Sequence, residues 1–190
     1  MAPAFPLHQA FEEALLAAFP CEPVCRPEWP HRHAFDADVA MYLDGKRWPE
    51  VVGFQLVKGE RDLSLSSWLA MLPVDVICYY LPSHLLFASL LLPGGAHPNY
   101  VGQVMEALVL PPDATLAQLD VIDREMCLEA PLRQYGEARL GVFRALLPAQ
   151  RRAVALWLDL FEHYCGAEFT AAGHDLFCRN RDAWCSKEKR

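Results

Sequence analysis

The sequence predicts an all-α fold: a single compact domain over residues 1–190, of about seven to nine short helices around a proline-divided central hydrophobic pair. Three observations predict it. Apolar residues recur at helical spacing through most segments of the chain. Prolines and glycines stand where those segments start and stop. The stretch Leu69 to Leu92 carries one acid, one histidine and no basic residue, and Pro73 and Pro82 divide it.

Taken in order, Pro6 to Phe19 reads as a helix. Leu7, Phe11, Leu15 and Phe19 recur every four residues, opposite Gln9, Glu12 and Glu13. The two glutamates are placed near its first turns, where they complement the dipole. Cys21 to Pro30 is a stiff, proline-rich connector. Asp36 to Leu43 is a short helix that Asp44-Gly45 ends. Val51 to Val57 fits either a short strand or a helical turn, before the charged loop 58–62.

Pro73 to Leu81 and Pro82 to Leu92 are two proline-started helical pieces, forming a hairpin or a helix kinked at Pro82. Pro93-Gly94-Gly95 stops them. Asn99 to Leu108 is a helix, and Pro111-Pro112 breaks it. Thr115 to Leu128 follows as another. Pro131 to Gly136 reads as a connector and Ala138 to Leu146 as a short helix. Pro148 to Cys165 is a long amphipathic helix with Gly166 as its stop. Ala171 to Trp184 packs back through Leu176, Phe177 and Trp184. Residues 186–190 are polar and expected to fray.

Composition excludes several classes. The net charge of −7 at a hydrophobic content of 53% describes a globular chain, not a disordered one. It argues against nucleic-acid binding, which needs clustered Lys and Arg against phosphates. The N-terminus lacks the cationic start and unbroken apolar run of a secretory leader. Pro73, Pro82, Asp75, Ser83 and His84 interrupt the one stretch long enough for a membrane span, so a buried core is preferred. A cytoplasmic protein follows as the expectation. Its seven scattered cysteines are then thiols that fill the core.

A longer pattern runs through these segments. It comprises His31, then Gly45-Lys46-Arg47-Trp48, Leu72-Pro73, and Tyr79-Tyr80-Leu81-Pro82-Ser83-His84-Leu85-Leu86. It resembles an uncharacterised bacterial family of small proteins, a domain of unknown function. That family carries His-x-Cys-x-Glu-Cys, a Gly-Lys-x-Trp-like turn and Tyr-Tyr-Leu-Pro-Ala-Tyr-Leu-Leu. Leu147 to Val154 is similar to its late helix start. The resemblance implies a shared packing scheme. The family's two cysteines fall here on His33 and Asp36, so a shared thiol function is not implied.

Chemistry-bearing residues are sparse. Cys21, Cys25, His31, His33 and Asp36 fall within sixteen residues and are the donor types of a tetrahedral zinc site. Against this, His-x-His on extended chain sends its rings to opposite faces. Cys78 and Cys127 lie in apolar helical settings that suit core thiols rather than nucleophiles. His84 suits a hydrogen-bonded core residue better than a base. No phosphate loop, Gly-x-Ser-x-Gly or His-Glu-x-x-His occurs.

These readings lead to a non-enzymatic binding protein. Its expected form is an immunity protein, an antitoxin that neutralises a cognate bacterial toxin effector, such as a basic nuclease domain, by direct binding. The expected contact surface is the acidic helix face of Asp113, Asp120, Asp123, Glu125 and Glu129. Glu60 and Asp62 form a second charged site, and Trp29 and Trp48 are aromatic anchors. No cofactor is needed on this reading. The alternative is a metal-binding protein or small enzyme that uses zinc at Cys21, Cys25, His31, His33 and Asp36.

Overall fold

The computed structural model describes residues 5–22, 42–51, 72–110 and 132–185. Six α-helices occur there: α1 (Phe5–Ala18), α2 (Val74–Leu91), α3 (Pro98–Ala107), α4 (Leu132–Ala145), α5 (Pro148–Cys165) and α6 (Ala171–Cys185). Short 3-10 turns cover Trp48–Val51, Leu92–Gly94 and Gly166–Glu168. No strand occurs among the described residues. The chain is all-α, as the periodicity predicts.

Helix α2 is the hub. It packs on α1, α3, α4, α5 and the turn at Trp48–Val51. Ten of its residues are buried, from Val76 to Ser89. Val74–Gly94 is apolar and long enough to cross a membrane by length and composition, and 67% of its most apolar 18-residue window is buried by the protein itself.

Of the two arrangements expected here, the hairpin is corrected: the chain forms one helix that runs through Pro82. Pro73 precedes its first turn in extended geometry (φ −58°, ψ 147°), and the Ile77 N–H bonds the Pro73 carbonyl at 3.1 Å. Pro82 lies inside the helix. It removes the bond that would reach the Cys78 carbonyl, at a cost of about 3 kcal/mol. Side chains on both sides of Pro82 are tied to the same neighbouring chain segments, so tertiary packing outweighs that cost. The Pro-Gly-Gly stop holds as expected. Gly95 adopts a left-handed conformation (φ 60°), which costs glycine nothing, and its N–H bonds the Leu92 carbonyl.

Helix α1 buries Phe11 and Leu15, and Phe19 just past its end is buried too, as the spacing predicts, while Leu7 at its start is exposed. It carries no acid in its first turn, so Glu12 and Glu13 do not serve the dipole there; Glu13 instead accepts from Gln9. α1 lies along α5, and His8 meets Tyr164 at 3.2 Å.

The connector expected at Pro131 to Gly136 is also corrected, because α4 already begins at Leu132. Gly136 is a buried helical residue. Packing of α4 along α2 outweighs the roughly 1 kcal/mol that a helical glycine costs.

α5 starts at Pro148, and the Gln150 side chain reaches back to the Leu147 N–H at 2.8 Å. Gly166 ends α5, but in right-handed geometry (φ −61°) that opens a 3-10 turn. α6 buries Phe177 and Trp184, whereas Leu176 is 53% exposed and does not join the core. The helices expected at 36–43 and 115–128 and the tail 186–190 lie wholly or largely outside the described residues.

Candidate functional site

One face of α2 carries a run of polar groups that hold irregular backbone. The Tyr79 hydroxyl donates to the Cys21 carbonyl at 2.9 Å. The Tyr80 hydroxyl lies 3.0 Å from the Leu43 carbonyl and 2.9 Å from that of Lys46. Ser83 donates to the Trp48 carbonyl at 2.5 Å. Trp48 in turn donates from Nε1 to the Phe19 carbonyl at 3.2 Å. Buried carbonyls need partners, and these side chains supply them. Tyr79, Tyr80 and Ser83 therefore position chain segments 19–22 and 43–48.

His84 is fully buried, with Nδ1 2.8 Å from the Tyr100 hydroxyl. Burial pushes its imidazole down to about 3 and pushes the Tyr100 phenol up. Both stay neutral at ordinary pH, which matches the core role expected for His84. The Cys78 thiol is pushed up to about 12 by burial and by Asp75. It is a poor nucleophile.

A different set of groups meets where α5 and α6 come together. Glu162 Oε1 lies 2.9 Å from His174 Nε2. Cys178 Sγ lies 3.7 Å from His174 Nδ1 and 3.9 Å from Nε2. One ligand atom from each of the three falls within 4.8 Å of the others. Asp159 and Arg181 form an ion pair beside them, and Arg181 feels Glu162 and Cys185 as well. His174 and Cys178 stand four apart on one helix face, so their side chains are neighbours. That half of the cluster is visible in the sequence as His-x-x-x-Cys within a predicted helix. The sequence reading did not single it out.

The residues expected to contact a partner fall as follows. Asp113, Asp120, Asp123, Glu125, Glu129, Glu60, Asp62 and Trp29 lie outside the described residues. Trp48 is corrected: it is 1% exposed, in the core, with its indole N–H and its carbonyl both committed inside the protein. Its proline-flanked context reads as a loop, but Pro49 sits within a 3-10 turn that packs on α2. Of the proposed zinc donors, Cys21 is half-buried against the core. Cys25, His31, His33 and Asp36 lie outside the described residues.

No family model, curated protein or solved structure matches this chain.

Proposed function

We propose that this chain is a non-enzymatic binding protein: an immunity protein that neutralises a cognate bacterial toxin effector, such as a nuclease with a basic face, by covering it. The observation that carries this reading is charge. Between Asp113 and Glu129 the sequence places five carboxylates against one arginine, Arg124, in a chain of net charge −7. A concentrated acidic segment speeds capture of a basic partner and disfavours acidic competitors.

The core chemistry is consistent with that reading. The buried polar groups of α2 hold backbone carbonyls or, for His84, the Tyr100 hydroxyl of α3. The half-buried Cys78 and the buried His84 are both held in their neutral forms.

The test is co-expression with the product of a neighbouring toxin-like reading frame. The expected result is protection of the host cell and a 1:1 complex on size-exclusion chromatography. Association should slow as salt rises, because charges more than about 10 Å apart are screened at 0.1 M salt. Replacing Asp120 and Asp123 with Lys should slow association tenfold or more. Absence of both complex and protection refutes the reading.

A further inference from the structure

We propose that Glu162, His174 and Cys178 hold a divalent transition-metal ion of the zinc class, with a fourth coordination position open to water. The inference is independent of toxin binding and concerns a different part of the chain from the Cys21–Asp36 segment.

The donor set comes first. Carboxylate oxygen, imidazole nitrogen and thiolate sulfur are the three ligand types that zinc takes, and three protein ligands leave one position free. Thiolate and imidazole together disfavour magnesium and calcium, which prefer oxygen. The spacing also fits. A tetrahedral ion at ordinary Zn–O, Zn–N and Zn–S lengths separates its ligand atoms by about 3.3–3.6 Å. The separations here are 2.9 Å for Glu162 Oε1 to His174 Nε2 and 3.9 Å for Nε2 to Cys178 Sγ. All three ligand atoms lie within 4.8 Å of one another, so rotation of the Glu162 and Cys178 side chains about an ion on His174 completes the site.

The frame beneath is firm. Phe161 of α5 and Phe177 of α6 stack at 6.2 Å between centroids, with Phe169 from the connecting turn 5.3 Å from Phe177. Phe169 also approaches the His174 ring, at 6.4 Å. Thr170 caps α6 by accepting from the Gly173 N–H at 3.1 Å. The two helix ends are thus fixed before any ion arrives, which is what a ligand site requires of its supports.

Charge is suited as well. Glu162, Asp159 and a Cys178 thiolate give three negative charges, and Arg181 gives one positive. The local balance of −2 matches a divalent ion. Binding through His174 Nε2 leaves the ring proton on Nδ1, and the thiol proton of Cys178 passes to solvent. Glu162 and His174 remain partly exposed, with side chains 30% and 48% accessible, so an ion can enter from water.

The test uses the purified full chain, stripped with chelator and titrated with Co2+, then with Zn2+ in competition. The expected result is one equivalent of cobalt with thiolate-to-metal charge-transfer absorption, displaced by zinc. Cys178→Ser abolishes that absorption. His174→Ala and Glu162→Gln weaken binding at least tenfold, while H31A/H33A leaves it unchanged. A wild-type chain that takes no cobalt overturns the proposal. So does absorption that survives Cys178→Ser, or that disappears in H31A/H33A. Thermal transitions separate loss of fold from loss of a ligand. Should Cys178→Ser fail to fold, the affinity of Glu162→Gln decides. The toxin-binding test is run in chelator, so failure of one reading leaves the other standing.

Discussion

His84 Nδ1 sits 2.8 Å from the Tyr100 hydroxyl and joins the middle of α2 to the first turn of α3. The two rings lie nearly parallel, 14° apart, and Phe87 packs edge-on against Tyr100 at 5.2 Å. Both groups are buried, so the bond forms between neutral partners in a low-dielectric setting where it is strong and costly to break.

This pair predicts acid sensitivity. The imidazole is held down to about 3 in the folded chain, against 6.5 when unfolded. Between those values the unfolded chain binds the extra proton. Stability from His84 is therefore complete above pH about 6.5 and declines as pH falls towards 3, by at most about 1.4 kcal/mol per pH unit. Urea unfolding at pH 7 and at pH 5 measures it. His84→Gln, which cannot titrate, should lose less stability across that interval than wild type. Equal losses would show that the imidazole is not the group responsible. Tyr100→Phe should cost about 1–3 kcal/mol at pH 7, because it leaves buried Nδ1 without that partner.

Much of this frame is legible in the sequence, for local reasons. α1, α3 and α5 are bounded by Pro or Gly and carry clear 3.6-residue periodicity, which is information contained within each segment. The errors arise where tertiary packing overrides a local rule. Pro82 is a helix breaker on paper, yet Tyr79, Tyr80 and Ser83 tie both sides of it to the same carbonyl-bearing segments. Gly136 suggests a connector, yet it lies buried within α4. The cluster of Glu162, His174 and Cys178 is half legible. His174 and Cys178 are four apart, but Glu162 joins them only through the way α6 folds back on α5, which no local pattern encodes.

The carboxamide of Asn180 brackets the end of α3. Its Oδ1 accepts from the Leu110 N–H at 2.9 Å, and its Nδ2 donates to the Leu108 carbonyl at 3.2 Å. Trp184 Nε1 donates to the same carbonyl at 2.9 Å. Asn180→Ala strands the Leu110 N–H, while Trp184 still serves Leu108. A loss of about 1–3 kcal/mol in chemical denaturation is expected. Asn180→Asp keeps the acceptor but sets a carboxylate against the Leu108 carbonyl, so it should be at least as destabilising. A variant at wild-type stability would refute the clamp.

The thiols should divide by reactivity. Cys78 is pushed up to about 12, from a thiol's usual 9, which lowers its thiolate fraction about a thousandfold. Cys185 is exposed at the end of α6. Iodoacetamide at pH 8 should label Cys185 within minutes and Cys78 only after denaturant is added, as peptide mass spectrometry would reveal. Early labelling of Cys78 in the folded chain would contradict its burial.

Two helical glycines give opposite expectations for one substitution. Gly102 lies exposed in the middle of α3, and a Cβ there meets nothing within 4 Å among the described residues. Gly102→Ala gains helix propensity and should stabilise by about 0.8–1 kcal/mol. Gly141 lies where α4 crosses the start of α2, and a Cβ there would stand 3.1 Å from Val74 Cγ2. The same propensity gain is then opposed by a contact tighter than ordinary packing, at a joint between two core helices. Overpacking typically costs about 1–3 kcal/mol, so Gly141→Ala should be neutral to destabilising. Adding Val74→Ala removes the opposing methyls, so the double variant should lose less than the two single changes summed. Strict additivity, measured by a double-mutant cycle in urea, would mean that α4 does not seat on Val74.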